Sequence, residues 1–205
     1  MAQPKWQRRA DERPREICAA ALEVFAEKGF AAAKLDEIGR RAGISKGTLY
    51  LYFKDKQELF RAVVKSAIAP NIEAVTSAVS SLDAPFPDLV RMFLAGFAER
   101  EARLPIGAVA KIVVGESRNF PELARVWHDE VASKAIGALS SFIERAQQRG
   151  EIRAGDPRLY AFSLIGPMVL GALWRATLVP AGGTPLDLAA LAKQHSETVL
   201  AGLLA

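Results

Sequence analysis

The chain has 205 residues, 50% hydrophobic and 24% charged, enough to bury a real core in one large domain or in a small one joined to a larger one. Its single cysteine, Cys18, excludes an internal disulfide and a cysteine-based metal cluster, and fits a reducing compartment. The net charge of +4 lies in the first third: residues 1–61 hold 13 Lys/Arg against 9 Asp/Glu, while residues 62–205 balance 14 against 14.

No stretch alternates with a strand's period of two, and glycine and proline fall between helical segments. The pattern predicts an all-α protein of about nine helices. The first is expected from about Pro14 to Lys28, with proline at the favoured first position, Gly29 beyond its end, and Ile17, Ala21, Val24 and Phe25 on its inner face. Ahead of it Lys5, Arg8, Arg9, Arg13 and Arg15 form a basic arm, the kind of local charge a phosphate backbone attracts. A short second helix, Leu35 to Ala42, is closed by Gly43, and a third runs from Ser45 to Phe53. The fourth opens at Asp55, where Asp-Lys-Gln-Glu makes a capping box with Glu58, and continues through Leu59, Phe60, Val63, Val64, Ala67 and Ile68.

Two helices, Pro87 to Arg103 and Pro105 to Ser117, fill the middle. Asn119-Phe-Pro-Glu opens a long helix to about Arg149, Asp156-Pro157 opens the next, and Thr184-Pro-Leu-Asp opens the last from Pro185. The expected division is residues 1–60 and 61–205. Leu159 to Trp174 is apolar but for Ser163; it is shorter than the roughly 20 residues a membrane span needs. Gly166-Pro167 interrupts it, so it reads as a buried helix. The N-terminus lacks the apolar run of a secretion signal, and a cytoplasmic protein with no membrane partner is expected.

Two short helices joined by a tight glycine turn are the helix-turn-helix arrangement, whose second helix enters the DNA major groove. Here Gly43 makes the turn, Ser45 caps the new helix, and Ile44 can staple onto Leu49. At about 100° per residue Leu49 and Phe53 share the inward face. Gly47 and Leu51, flanked by Thr48 and Tyr50, look outward, a poor solvent surface and a sensible groove surface. Gly47 permits close backbone approach, Thr48 and Leu51 suit base edges or a thymine methyl, and Lys46, Tyr50 and Lys56 suit phosphates.

The run Ala20-Ala-Leu-Glu-Val-Phe-Ala-Glu-Lys-Gly-Phe, then Ile38 to Gly43, then Ile44-Ser-Lys-Gly-Thr-Leu-Tyr-Leu-Tyr-Phe-Lys-Asp-Lys-Gln-Glu-Leu-Phe resembles the N-terminal domain of the TetR/AcrR family of bacterial transcriptional regulators. The resemblance implies DNA contacts at Lys34, Lys46, Gly47, Thr48, Tyr50, Leu51, Tyr52 and Lys56. It departs from the family at Ala33-Lys34, where a capping Ser or Thr is usual. It also implies that the remainder is a ligand-binding and dimerisation domain, to which Val114-Gly-Glu-Ser-Arg-Asn-Phe-Pro-Glu-Leu-Ala and Ile165-Gly-Pro-Met are similar. A homodimer on a palindromic operator follows, its last two helices packing against their mates, with Leu188, Leu191, His195, Val199 and Gly202 as one seam.

Inward-facing candidates for a small hydrophobic effector are Phe93, Phe97, Val109, Ile112, Trp127, Val131 and Met168, all equally consistent with plain core. Pro167 leaves the Ser163 carbonyl without its helical donor, a polar anchor or simply a kink. His128 and His195 have no second ligand at metal spacing, and Cys18 reads as core filler. No nucleophile–base pair, paired carboxylates, P-loop, metal set or cofactor motif appears, so no enzyme and no cofactor is expected. Two function classes stay open: a ligand-responsive, sequence-specific repressor, and an effector-independent architectural DNA-binding protein.

Overall fold

A computed structural model describes residues 5–70, 73, 74, 77 and 84–204, with the side chains of 5–12 and of Ala67 outside that description. The side chains of Lys5, Arg8 and Arg9 of the basic arm lie outside the described part. Among the described residues there are nine helical rods and no strand, only one isolated bridge, Ile152 to Leu204. The rods are α1 (Lys5–Ala32), α2 (Leu35–Arg41), α3 (Lys46–Tyr50), α4 (Lys56–Val63, continued by a π turn, Val64–Ile68), α5 (Phe86–Arg103), α6 (Ile106–Glu116), α7 (Pro121–Trp127 and Ser133–Gln148, joined by a π turn, His128–Ala132), α8 (Pro157–Thr177) and α9 (Leu188–Leu203). They divide into two compact units, Met1–Pro70 with Ile112–Glu130 and Asn71–Lys111 with Val131–Ala205.

The first unit is built on an aromatic knot. Phe25, Phe30 and Phe60 are at most 1% exposed and meet at centroid distances of 5.6–5.8 Å. Ile17, Ala21, Val24, Leu59, Val63 and Val64 are sealed beside them, as the sequence predicts for α1 and α4. Helix α1 starts nine residues earlier than predicted, with Pro14 inside it. Proline forfeits only its own amide bond, and Gln7 to Arg13 are mostly good helix formers. Gly29, at φ 78°, breaks the rod before a last turn of Phe30–Ala32. Cys18 is buried, and burial raises its thiol pKa.

Other ends also differ from expectation. Helix α3 stops at Tyr50 rather than Phe53, because Leu51 and Tyr52 bond back three residues in a tightening turn that drops Phe53 into the core. Helix α7 is preceded by Phe120 rather than capped by Asn119, since the Phe120 ring packs 5.0 Å from Phe30. Helix α9 begins at Leu188, where the Asp187 carboxylate accepts from the amides of Ala189 and Ala190, three residues after the expected Pro185 start.

In the second unit α5 packs on α9, and α8 packs on α7 and α9. Phe86 stacks on Phe142 at 4.9 Å, and Leu94, Leu139, Ile143, Leu164 and Met168 fill the interior. Helix α8 is not interrupted at Gly166-Pro167 but runs unbroken for 21 residues, because packing on Ala161, Leu164, Met168 and Ala172 outweighs one lost hydrogen bond. It is the one described helix long and apolar enough to cross a membrane, and its apolar side is only partly buried. The buried stripe of α9 is Leu188, Ala192, Ser196, Leu200 and Leu203, so the predicted seam of Leu191, His195 and Val199 is a half-buried band beside it and Gly202 is exposed. His195 is bonded within the chain, its Nε2 lying 2.9 Å from the Leu164 carbonyl next to the Pro167 site.

Glycine is obligatory where α6 crosses α8: a Cβ on Gly107 would lie 2.3 Å from the Ala172 carbonyl oxygen. Just before it, the half-buried Glu101 carboxylate accepts from the Gly107 amide at 3.2 Å with both oxygens. Burial pushes Glu101 up to about 7, against the opposing pull of that amide and of Arg175. A carboxyl whose folded value exceeds its unfolded one binds protons preferentially in the folded state, so it lowers stability as pH rises between the two values. Thermal midpoints of the wild type are thus expected to gain, relative to Glu101→Gln, as pH falls from 8 to 5. Equal slopes for the two proteins in that window would show that Glu101 titrates normally.

Candidate nucleic-acid interface

The two-helix turn forms from local rules. Gly43, at φ 68°, reverses the chain after α2. Ser45 then caps α3, its Oγ accepting from the Thr48 amide at 3.1 Å. Leu49, fully buried, and Phe53 anchor α3 inward while Ile44 is half-buried, as the staple requires. A Cβ on Gly39 would come within 3.2 Å of the Ile44 carbonyl, which shows how closely α2 approaches the turn. Across the other side of α2, Arg41 clasps both Glu27 oxygens at 2.7 and 2.9 Å and Lys28 bonds Glu37 at 2.7 Å, tying α2 to α1.

The outward face of α3 carries the predicted residues. Leu51 is 84% exposed and Tyr50 47% exposed, with Lys46 and Gly47 also exposed. A Cβ on Gly47 would meet nothing nearer than the Ser45 hydroxyl at 3.8 Å, so packing within the protein does not demand glycine there. Thr48 is half-buried and its Oγ1 shares a hydrogen bond of 2.9 Å with Ser45 Oγ, which leaves its methyl as the outward group. Tyr52 is half-buried. Lys34, exposed, occupies the N-cap position of α2 without any side-chain cap, as Ala33-Lys34 predicts.

Two lysines behave unlike simple phosphate hooks. Lys46 Nζ lies 2.9 Å from Asp36, and that hydrogen bond holds its pKa above the usual lysine value. Asp36 is a functional neighbour the sequence reading missed; its only signal was an acid in the first turn of α2. Replacing it with Asn is expected to raise affinity for all DNA sequences, by less than about tenfold, by releasing Lys46 and removing a like charge facing phosphate. Unchanged affinity at low salt in a filter-binding titration would contradict that. Lys56, in turn, is committed inside the protein: Nζ donates to the carbonyls of Ala31 at 2.9 Å and Ala33 at 3.1 Å and sits 4.7 Å from the centre of the Phe30 ring.

The predicted effector residues are spread over the two units. Phe93 and Met168 are buried in the interior of the second unit, with Phe97 against it, while Val109 and Val131 are buried elsewhere in that unit. Ile112 and Trp127 belong to the first unit. A groove of about 850 Å³ opens instead between α5 and α9, walled by Ala95, Ala98, Ala192, Arg175 and Lys193 among others. Among the described residues no group of three or more His, Cys, Asp or Glu side chains is placed to hold a metal ion.

Known proteins agree with this architecture. Residues 17–63 match the model of the bacterial regulatory proteins of the tetR family, and residues 87–199 match the tetracyclin repressor-like C-terminal domain. The HTH-type transcriptional activator FasR of Mycolicibacterium smegmatis is 42% identical over 69 residues, which is 34% of this chain and 32% of that protein. The fatty acid metabolism regulator protein of Bacillus subtilis is 25% identical over 152 residues, 74% of this chain and 77% of that one. The crystal structure of the transcriptional regulator FadR from Bacillus subtilis in complex with stearoyl-CoA superposes with a TM-score of 0.75 at 22% identity, covering 92% of this chain and 98% of that one. With both of its halves matched, and with a capped reading helix on an all-helical body, the chain belongs to the TetR family of bacterial HTH transcriptional regulators.

Proposed function

We propose that this regulator is a repressor that binds a palindromic operator as a homodimer in the cytoplasm and is released by an elongated hydrophobic effector. The observation that carries the DNA half is the outward face of α3, where Leu51 and Tyr50 are exposed around a glycine that the protein's own packing does not need. Thr48 and Leu51 read bases, Gly47 admits the backbone to the groove, and Lys34, Lys46, Tyr50 and Tyr52 hold phosphates. The dimer face is the exposed apolar stripe of α8, Leu159, Phe162, Leu170 and Trp174, continued by Leu178. The half-buried band of α9 joins it.

The effector reading draws on FadR, which was crystallised with stearoyl-CoA, and on the apolar interior of the second unit. An effector must favour the state that cannot span two half-sites, with coupling of about 1–3 kcal/mol. Phe93, Phe97, Val109, Ile112, Trp127, Val131 and Met168 remain the proposed contacts. Site selection from random DNA, followed by anisotropy titrations with and without long-chain acyl-CoA, tests both halves. Thr48→Ala and Leu51→Ala are expected to relax base preference by about 1–3 kcal/mol at single positions. Sequence-blind binding by the wild type would instead identify an architectural DNA binder.

A further inference from the structure

Lys56 occupies the first position of α4, where a cation opposes the helix dipole. Such a placement needs a compensating partner, and the structure supplies one. Ala31, in the last turn of α1, and the following Ala33 point carbonyls at the half-buried lysine: its Nζ is bonded to both and lies over the Phe30 ring. Burial draws its pKa down, with Glu116 opposing the shift. From the other side of the same turn, Glu116 Oε1 accepts from the Ala31 amide at 3.0 Å. Ala31 thus has its carbonyl held by Lys56 and its amide by Glu116, three residues ahead of the uncapped N-cap of α2, Lys34.

We propose that Lys56 and Glu116 are positioning residues that clamp the Ala31–Lys34 turn and so fix the angle at which α2 presents the reading helix. A Ser or Thr at position 34 would tie down the amides of α2; here two long side chains tie down the peptide groups just ahead of it. The inference rests on the DNA-binding reading, but the clamp itself exists without DNA.

The test uses the full chain. Lys56→Met removes the charge and keeps the stem; Glu116→Ala removes the acceptor, whereas Glu116→Gln removes only the charge. Operator affinity is expected to fall about tenfold in Lys56→Met. Removing an acid ordinarily tightens DNA binding. Glu116→Ala is nevertheless expected to weaken it about tenfold, with Glu116→Gln restoring it to within about twofold. Without DNA, amide exchange across residues 31–35 is expected to speed up about tenfold in Lys56→Met and Glu116→Ala and not in Glu116→Gln. Unchanged exchange across residues 31–35 in Lys56→Met, or wild-type affinity in Glu116→Ala, overturns the clamp. If Lys56→Met does not fold, the Glu116 pair decides, and if no operator is found, unchanged exchange in Glu116→Ala overturns the clamp by itself.

Discussion

Leu170→Glu is expected to give a folded monomer whose operator affinity is at least about 100-fold below that of the wild type. Leu170 is 65% exposed and lies in the middle of the α8 stripe, so the substitution removes no core contact and leaves the unit's own packing intact. A buried glutamate facing its own symmetry mate would meet both a desolvation penalty and a like charge. Losing the partner costs the second half-site its effective concentration, and that is the source of the large factor. Sedimentation velocity at micromolar protein reads the first consequence, and anisotropy on a palindrome reads the second. A variant that sediments like the wild type would move the dimer face elsewhere. Partition of the wild type into vesicles, abolished by Leu170→Glu, would mean that the stripe of α8 meets lipid instead.

Phe60→Ala is the substitution expected to cost most in stability, about 3–5 kcal/mol for the first unit. Phe60 is fully buried and meets Phe25 at 5.8 Å and Phe30 at 5.7 Å, both edge-on, so truncation leaves a cavity whose walls are held by three helical segments. That loss is a large part of the 5–15 kcal/mol typical of a whole domain, and the reading helix would lose its support as the unit loosens. Leu51→Ala provides the contrast. At 84% exposure it is expected to leave stability within about 0.5 kcal/mol while changing base preference. Urea titrations of the two variants side by side check this, and equal midpoints would show that the aromatic knot is not what holds the DNA-binding unit.

Much of the fold is legible in the chain because the signals are local. Gly43, Ser45, Asp55 with Glu58, and Asp156 each satisfy or redirect backbone groups within four residues, although Glu58 reaches back to the Lys54 amide rather than to that of Asp55. The same holds for the inward faces of α1 and α4, where a period of 3.6 alone puts Ile17, Ala21, Leu59 and Phe60 in the core. Some expectations went astray where a neighbour distant in sequence supplied the decisive contact, others, as at the start of α9, where a local cap was passed over. Phe120 stands ahead of α7 because of Phe30, and α8 survives Pro167 because two helices pack along it. Periodicity also cannot tell which part of a broad apolar face packs on the core: in α8 Ala161, Leu164 and Met168 are buried while Leu159, Phe162 and Leu170 stay exposed.

What the sequence by itself determined is the helix-turn-helix and the outward face of its second helix, since capping, turn chemistry and helical period act over a few residues. What only the tertiary structure decided is what each cation on that unit does. Lys46 and Lys56 look alike in the sequence, yet one is paired with Asp36 on the surface and the other is turned onto the Ala31 and Ala33 carbonyls. A flexible four-carbon stem lets lysine choose among partners within several ångströms, and those partners are set by how α1, α2 and α4 meet.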